Sequence, residues 1–491
     1  MFNIDFDDNR VKSTLRVLQY TALSILVILG TIILVYAGQG YDLNTSTGRV
    51  IRNGLILVNS TPDDAAVSIN GQIEPDLTPG SFPVPGGQYD IAIAKAGYRD
   101  WHKTVLVTGS EVEWLYYPLL VPSQLVTRNL SVFLRPQFVG LSPSGDRLLV
   151  RQSGRDDPVF NLINFSGGGV TNEQSLTLPD SLLTLGAGQN LGVFDFEGWA
   201  SDNRHILLTH TVGRQVEYIW LDSETVAESR NLSEDFDLAL SDVRFIDGDS
   251  QRLYAVVNND LRLIDLGRDT ISTPIVRDLG RYVLYQDQIV VYVREVESGG
   301  SELGLIEGDD QPQLLRNLPL KPANYRLEFA QFEDIFYLAL LDLEQQRLSL
   351  TANPNLAELG TAQSPLVFNL NGAQSIAFSR NGQFISVQAD ERFITYDLDR
   401  KRRSSFKTDF KPAADVEAKW LDGFHLSMPD SQGLLRMFEF DGANSTGLLA
   451  VNANLEPIYN SGQNMLYTFS PAAQGGRVFL QGTSFTVPES Q

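Results

Sequence analysis

Leu141–Gln152 has the sequence LSPSGDRLLVRQ, and this segment decides the fold because variants of it recur along the chain. Each copy has a bulky apolar residue, a turn of Ser, Asp, Asn or Gly, and then an alternating strand. The other clear copies, followed by two weaker ones, are Trp199–His210, Phe245–Val257, Phe378–Gln388, Trp420–Pro429, Tyr459–Ser470, Arg281–Val293 and Ala330–Asp342. Their spacing of about 40 to 58 residues suits a four-stranded β unit rather than a helical repeat.

We predict eight such units, with seven as the alternative because the two weaker copies match poorly. An all-β propeller of seven or eight blades is the best interpretation of residues 123–491. The strand Val126–Leu134 is expected to pair with the last blade and close the ring, which would hide two adhesive strand edges. The segment LSPSGD (Leu141–Asp146) resembles the TolB-type propeller repeat, in which leucine or an aromatic residue precedes Ser-Pro-Asp-Gly. Only this copy keeps the Ser-Pro pair.

Residues 51–121 carry the pattern of a second, smaller β domain. In GLILVNSTPDDAAVSINGQ (Gly54–Gln72), alternating apolar residues stop at a Ser-Thr-Pro-Asp turn, resume, and end at Asn-Gly, the strongest short hairpin signal. The stretch PGGQYDIAIAKAGYRDWHKTVLVTG (Pro85–Gly109) repeats this logic, with Pro-Gly-Gly and Gly97 as turns. The spacing predicts a small β-sandwich.

These residues resemble the PEGA domain, a small bacterial β-sandwich module of surface proteins. The matching positions are Val58–Pro62, Ala65, Val67, Asn70-Gly71, Thr78-Pro79, Pro85-Gly86, Tyr89, Lys95–Tyr98 and Trp101. The turn that names the family reads Pro-Asp-Asp-Ala here (residues 62–65), so an aspartate stands where the family has glycine. The resemblance implies an accessory module that faces the cell envelope, and it names no ligand.

A long uncharged stretch, VLQYTALSILVILGTIILVYAGQGY (Val17–Tyr41), precedes both β domains. As a helix, its apolar part (residues 17–37) would span about 30 Å, the thickness of the hydrocarbon core of a bilayer. We therefore predict a transmembrane signal anchor, followed by a linker at residues 38–50. A cleaved signal peptide is the alternative, because the small residues around Ala37 could be cut by a peptidase.

Basic residues near the start of this stretch predict its orientation. Arg10, Lys12 and Arg16 lie just before it, and such residues favour the cytoplasmic side of a membrane. Residues 1–16 are therefore expected to form a cytoplasmic tail. We predict a single-pass protein of a bacterial cell membrane that contacts the lipid bilayer through this helix and holds its β domains outside the cytoplasm.

Composition excludes several classes of function. The chain has 491 residues, a formal net charge of −22 and no cysteine, so disulfides, thiol catalysis and cysteine-bound metals are ruled out. An acidic surface repels nucleic acid, and no nucleic-acid partner is expected. No Walker A or Rossmann glycine pattern occurs, and the Gly-Gly-Gly run at 167–169 is interpreted as a loop, so we predict no cofactor.

The catalytic motifs of common enzyme classes are also absent from the sequence. There are four histidines without metal-ligand spacing, and no Gly-x-Ser-x-Gly nucleophile motif. Three carboxylate pairs are interpreted as solvated turn residues; they are Asp156 with Asp157, Asp309 with Asp310, and Asp247 with Asp249. We therefore predict no catalytic and no metal-binding residues.

Two sets of residues are candidates for ligand binding. The first is a basic cluster, expected in an exposed turn between strands, that consists of Arg400, Lys401, Arg402 and Arg403 with Lys407 and Lys411. It is either a solvated hairpin tip or a contact for an anionic wall polymer, a lipid surface or an acidic partner. The second is Trp199 and Trp420, which occupy equivalent places in their repeats. They pack between blades or form a stacking platform at the central funnel.

These observations predict a non-catalytic, membrane-anchored envelope protein. Its propeller would bind or scaffold envelope proteins, or hold a wall or surface polysaccharide. The alternative is an exported propeller enzyme, a glycan hydrolase or lyase, with acids from several blades converging at the central funnel. Two carboxylates about 5 to 9 Å apart in a central pocket would favour the enzyme, and a funnel lined by apolar and amide groups would count against it. A sensor that acts through a partner helix is a third possibility.

Overall fold

The computed structural model describes residues 9–38, 41–44, 49–152, 158–166, 169–185, 192–246, 248–286, 289–308, 310–354 and 365–487. The described chain forms two compact units. The first contains the residues up to Gln124 together with Thr486 and Val487, and the second spans Leu125–Phe485, slightly less than the predicted propeller segment.

The first unit begins with helix α1 (Asn9–Gly38). Large apolar side chains along it are exposed, among them Leu18, Leu26 and Leu34 at 68, 69 and 73%. Within the part of the chain that the structure describes, no helix has both the length and the apolar character needed to cross a membrane. The anchor at residues 17–37 is therefore not supported by the structure and stays a prediction.

The rest of the first unit is a β-sandwich with two four-stranded sheets in its described residues. Its strands are β1 (Tyr41–Asn44), β2 (Arg49–Val58), β3 (Ala66–Ile69), β4 (Gln72–Leu77), β5 (Gly80–Pro85), β6 (Gly87–Ala94), β7 (Trp101–Val107) and β8 (Val112–Leu115). One sheet has the order β1-β2-β5 with β8 parallel to β2, and the other has the order β4-β3-β6-β7. Alternating residues such as Ile56, Val67 and Ile93 are buried between them. The predicted linker contains β1, because residues 41–44 pair with residues 49–52.

The turns of the sandwich lie where the sequence predicts them. Asn70 and Gly71 both have positive φ (50° and 78°), as a tight Asn-Gly hairpin requires. At the turn that names the family, Asp64 has φ 58°, so aspartate adopts the left-handed conformation that glycine favours. The Asp64 N–H donates to the carbonyl of Thr78 at 2.8 Å, which ties this turn to the rest of the sandwich.

The second unit contains eight four-stranded antiparallel sheets in its described residues, one for each predicted repeat. Strand β9 (Val126–Leu134) comes first in the chain. Blade 1 consists of β10 (Pro136–Leu141), β11 (Arg147–Gln152), β12 (Val159–Ser166) and β13 (Gly169–Thr177), and blade 2 consists of β14 (Val193–Trp199), β15 (His205–Val212), β16 (Gln215–Asp222) and β17 (Arg230–Asn231). Blade 3 consists of β18 (Leu240–Ile246), β19 (Asp249–Val257), β20 (Asp260–Asp265) and β21 (Thr270–Ile271), and blade 4 consists of β22 (Leu279–Tyr285), β23 (Ile289–Glu295), β24 (Ser301–Glu307) and β25 (Gln313–Leu318). A single helical turn, α2 (Leu232–Asp235), precedes β18.

Blades 5 to 8 continue the same order along the chain. Blade 5 consists of β26 (Tyr325–Phe332), β27 (Ile335–Asp342), β28 (Arg347–Ala352) and β29 (Leu366–Asn369), and blade 6 consists of β30 (Ser375–Phe378), β31 (Phe384–Ala389), β32 (Arg392–Asp397) and β33 (Arg402–Lys407). Blade 7 consists of β34 (Lys419–Trp420), β35 (His425–Pro429), β36 (Leu434–Glu439) and β37 (Thr446–Ala450). Blade 8 consists of β38 (Ile458–Asn460), β39 (Met465–Phe469) and β40 (Arg477–Ser484), with β9 as its fourth strand. The prediction of eight blades is confirmed.

Ring closure by β9 is also confirmed. This strand pairs antiparallel with β40, with Thr127 opposite Thr483 and Phe133 opposite Val478. Buried residues of blades 8 and 1 form one apolar cluster that includes Phe133, Val150 and Tyr467. Similar clusters join blades 1 to 7 in succession, so the sheets are arranged as a β-propeller in which blade 8 packs against blade 1.

The repeated turn signature has a structural explanation. In blade 1, the Ser142 hydroxyl accepts a hydrogen bond from the N–H of Arg147 at 3.0 Å, and Ser379 accepts one from Phe384 in blade 6. In blade 7, the Asp422 carboxylate accepts one from the N–H of His425 at 2.7 Å. In each case a short polar side chain within the turn fixes the connection between the first and second strands.

Candidate functional site

The centre of the propeller holds a polar cavity of about 500 Å³. The first strands of the blades are neighbours, β14 beside β18 and β22 beside β26, so they surround the middle of the ring. The cavity is lined from five consecutive blades, 3 to 7. Its charged lining residues are Asp242, Arg244, Arg281, Arg326, Glu328 and Glu417.

The lining charges occur at alternate positions of the first strands. Arg326 and Glu328 are two residues apart on the regular strand β26, so they share one face of it. Asp242 and Arg244 are also two residues apart on β18, where Asp242 has φ 44° and the register with β19 shifts. Asp242 and Arg244 form an ion pair at 2.7 Å between Oδ1 and Nε. The Arg244 guanidinium also lies over the ring of Tyr282, 4.5 Å from its centroid. The charge of Arg244 is thus compensated within the cavity wall.

Arg281 and Arg326 differ from Arg244 in this respect. Among the described residues, the Arg281 Nε is buried without a hydrogen-bond partner. Within the described part of the chain, Arg326 donates to two backbone carbonyls, those of Ala323 at 3.5 Å and Tyr325 at 3.3 Å. Burial lowers the pKa of Arg281, and the positive charge of Arg326 lowers it further. The two guanidinium groups therefore repel each other, and a bound anion would relieve that repulsion.

Glu328 provides a titratable group in the same cavity. Burial raises the pKa of Glu328 to about 7, against the opposing effect of the positive charges of Lys419 and Arg244. The negative charge of Glu417 adds to the increase. This carboxyl group is therefore about half protonated near neutral pH, a property that functional sites often show.

None of the charged residues that line the cavity was predicted from the sequence as a site residue. The available signal is a charge at alternate positions of first strands that are otherwise apolar, in Asp-Val-Arg (242–244), Arg-Leu-Glu (326–328) and Glu-Ala-Lys (417–419). Only the propeller geometry brings these segments together. The funnel is lined by charged groups, among them the carboxylates of Glu328 and Glu417, rather than by apolar and amide groups alone.

The predicted basic cluster lies away from this cavity. Arg400 and Lys401 are in the turn between β32 and β33, while Arg402 and Arg403 begin β33. Strand β33 is at the opposite edge of blade 6 from the cavity-lining strand β30. Lys401, Arg402 and Arg403 are exposed, as predicted for this hairpin. The cluster is a feature of the outer propeller surface, and its role as a contact stays a prediction.

The other two candidate residues contact the preceding blade. The indole N–H of Trp199 donates to the carbonyl of Gly140 at 3.1 Å, and that of Trp420 donates to the carbonyl of Ala377 at 3.3 Å. Both acceptors lie in the first strand of the preceding blade. The side chain of Trp420 is buried and that of Trp199 is half-buried. These equivalent contacts agree with the interpretation that both residues pack between blades.

Some of the other polar residues and glycines considered in the sequence lie in parts of the chain that the structure does not describe, and others can be placed. Asp156, Asp157, Asp247, Asp309 and the first two glycines of the run at 167–169 lie outside the described residues. Three histidines contact carboxylates through Nδ1: His205 with Asp202, His210 with Glu217, and His425 with Asp422. In the described ranges, no three His, Asp or Glu side chains are grouped so as to hold a metal ion.

Comparison with known proteins identifies the family of one domain. Residues 53–121 match the PEGA domain, so the resemblance of the sandwich to this family is confirmed. Among curated proteins, no match to the chain was found.

Three solved structures match most of the chain at low identity. The C-terminal WD40 domain of Sif2 is 11% identical over 74% of this chain and 99% of its own, with a TM-score of 0.47. An oligogalacturonate lyase from Vibrio parahaemolyticus is 10% identical over 75% of this chain and 99% of its own, with a TM-score of 0.40. Dipeptidyl peptidase 4 of Porphyromonas gingivalis is 12% identical over 72% of this chain and 58% of its own, with a TM-score of 0.47.

Proposed function

We propose that this chain is a non-catalytic binding protein of a bacterial cell envelope, and that its propeller holds an acidic polysaccharide through the central cavity. The observation that supports this proposal is the pair Arg281 and Arg326, two cavity-lining guanidinium groups without a carboxylate partner among the described residues. Gln374, Ser375 and Glu417 line the same cavity and offer hydrogen-bonding groups for hydroxyls. A sugar carboxylate and its neighbouring hydroxyls would therefore both be recognised.

We also propose that residues 17–37 anchor the chain in the membrane, with residues 1–16 in the cytoplasm and both β domains outside. The sequence of this stretch supports the proposal, as do the exposed apolar side chains along α1. The match of residues 53–121 to the PEGA domain, which is a module of surface proteins, fits this placement. An anchored propeller would hold the polysaccharide at the cell surface.

A double substitution in α1 tests the anchor. Leu26→Arg with Leu29→Arg is expected to move the full-length protein from the carbonate-resistant membrane pellet to the supernatant, because each arginine at the helix centre costs about 2.5 to 3.5 kcal/mol on insertion. The control is Ile73→Arg in the sandwich, at a side chain that is 76% exposed, and it should leave the protein in the pellet. Extraction of the wild-type chain by carbonate would contradict the anchor.

The cavity is tested by titrating the full-length protein with polygalacturonate, with dextran as a neutral polymer. The variant Arg281→Gln with Arg326→Gln is expected to weaken polygalacturonate binding about 100-fold, since each lost charge-assisted hydrogen bond is worth about 1.5 kcal/mol or more. The control, Arg402→Gln with Arg403→Gln, removes the same charge from the outer cluster and should bind like the wild type. Equal loss in both variants, or no binding of polygalacturonate, would contradict the proposal.

Catalysis is a second candidate function because Glu328, with its pKa of about 7, shares the cavity with Glu417. Such a carboxyl group is suited to general acid or base catalysis at neutral pH. The same titration distinguishes the two functions if polymer length is followed over time. Shortening of polygalacturonate by the wild type, abolished in Glu328→Gln, would favour the hydrolase or lyase and contradict the binding proposal.

A further inference from the structure

We propose that Gly280 is a positioning residue of the cavity. Because it has no side chain, the turn at Pro322–Asn324 packs directly on β22, and this contact holds the arginines of blades 4 and 5 around a single oxyanion. The inference rests on the proposed function, since it concerns the same cavity. It adds that Arg281 and Arg326 form one clasp for one carboxylate, built from two blades, and that a glycine sets the width of this clasp.

Gly280 is the extra residue of a β-bulge near the start of β22. In the register with β23, Leu279 lies opposite Arg294 and Arg281 lies opposite Val293, so the register shifts at Gly280. Such bulges bend a strand and re-aim its side chains. The side chain that follows the bulge is that of Arg281, which lines the cavity.

The backbone at Gly280 lies against Pro322, in the connection between blades 4 and 5. A methyl group added at Gly280 would overlap with Cβ of Pro322 and would lie 2.5 Å from its Cγ. Carbon atoms that are not bonded to each other pack at about 3.5 to 4.0 Å. Pro322 is buried, and its ring cannot rotate away as a flexible side chain would. A side chain at position 280 would therefore push the turn and β22 apart.

The same turn supports the second arginine. The turn at Pro322–Asn324 leads directly into β26, and Arg326 Nη1 donates to the carbonyl of Ala323 in this turn at 3.5 Å. The residues just before the turn are also held in place, because Ser301 Oγ donates to the carbonyl of Leu320 at 2.6 Å. A shift of the turn away from β22 would therefore carry the support of the Arg326 guanidinium with it.

The two arginines act on each other across neighbouring blades. Strands β22 and β26 are adjacent, and both Arg281 and Arg326 line the cavity. Burial lowers the pKa of Arg281, and the positive charge of Arg326 lowers it further. A single carboxylate has two oxygens that can accept hydrogen bonds from both guanidinium groups. A wider separation would leave two weaker and independent sites.

Titration of the full-length protein with polygalacturonate tests the role of Gly280. Gly280→Ala is expected to weaken binding about tenfold, which corresponds to the loss of about one charge-assisted hydrogen bond. The control is Gly198→Ala on β14, the first strand of blade 2, where a methyl group would meet no described atom within 4 Å. The control should bind polygalacturonate like the wild type.

A double-mutant cycle separates positioning from a general loss of structure. Arg326→Gln should weaken binding about tenfold in the wild type but less than about threefold in Gly280→Ala, because the guanidinium no longer reaches the shared carboxylate. A variant that had only lost part of its folded population would keep the full effect of Arg326→Gln.

Substitutions at Pro322 provide a rescue and its control. Gly280→Ala with Pro322→Gly removes both proline atoms that the methyl group meets, so it should bind within about threefold of the wild type. Gly280→Ala with Pro322→Ala keeps the overlapping Cβ, so it should stay about tenfold weaker. Pro322→Gly alone adds no atom and tests the contact even if Gly280→Ala does not fold. It should weaken binding about threefold, because the turn loses the ring that lies on β22.

The possible failures are distinguishable. A folded Gly280→Ala variant that binds polygalacturonate like the wild type would overturn the positioning role and leave the proposed function in place. The same holds for equal binding by the two double variants at Pro322, and for a Pro322→Gly variant that binds like the wild type. A wild-type protein that binds no polygalacturonate, or binding that survives in Arg281→Gln with Arg326→Gln, would overturn both proposals.

Discussion

Replacing Phe133 with alanine is expected to lower the free energy of unfolding of the propeller by about 3 to 5 kcal/mol. Phe133 lies on β9, is 1% exposed, and belongs to the apolar cluster that joins blades 8 and 1. Its ring centroid is 6.4 Å from that of Phe469. The substitution removes buried area and leaves a cavity at the point where the ring closes, so both effects add.

Val132→Ala is the matched control, because Val132 precedes Phe133 on the same strand and is 50% exposed. We expect a change within about 0.5 kcal/mol for this variant. Denaturant unfolding of the full-length protein gives the energies, and hydrogen exchange of the β40 amides locates the effect. These amides should exchange faster in Phe133→Ala, since β9 is the neighbour of β40 at the outer edge of blade 8. Equal stability of the two variants would mean that β9 contributes little to closure.

The sequence predicts the blades because their signal is local. A polar turn residue such as Ser142 or Asp422 accepts a hydrogen bond from a backbone N–H a few residues later, and such bonds recur in several blades. The closing strand was predictable for a similar reason, since an unpaired strand before the first blade has one obvious partner in the last. The turn at residues 62–65 shows that residue identity alone does not determine the backbone conformation, because Asp64 adopts the positive φ that glycine favours.

The candidate site was not predictable in the same way. Its charges come from four blades, and each of them alone resembles a polar residue in a half-exposed strand. Arg281 is distinguished only by the position of Arg326, which lies on the next blade and a full repeat later in the chain. The basic cluster gave a stronger sequence signal, yet β33 places it at the outer edge of blade 6. The basic residues, which are consecutive in the sequence, therefore form a surface feature. The cavity residues come together only when the blades form the ring.

A second large effect is expected at Glu217 in blade 2, a buried carboxylate that is 1% exposed. It accepts hydrogen bonds from His210 Nδ1 at 2.6 Å, Thr184 Oγ1 at 2.6 Å and Asn231 Nδ2 at 2.7 Å. Glu217→Ala leaves these buried groups without their acceptor, so we expect a loss of about 3 to 5 kcal/mol. The control Glu228→Ala, at a side chain that is 68% exposed and 3.9 Å from Arg204 in the same blade, should cost less than about 1 kcal/mol.

The effect of Glu217 should also depend on pH. Burial alone would raise the pKa of Glu217, but the hydrogen bonds from His210, Thr184 and Asn231 outweigh it and lower the pKa to about 2. A folded-state pKa below the ordinary value of 4.5 means that the stabilisation is complete above pH 4.5 and is lost as the pH falls through about 2. The stability difference between the wild type and Glu217→Ala should therefore narrow by about 3 kcal/mol between pH 6 and pH 2. A difference that stays constant over this range would show that the carboxylate charge is not what holds these donors.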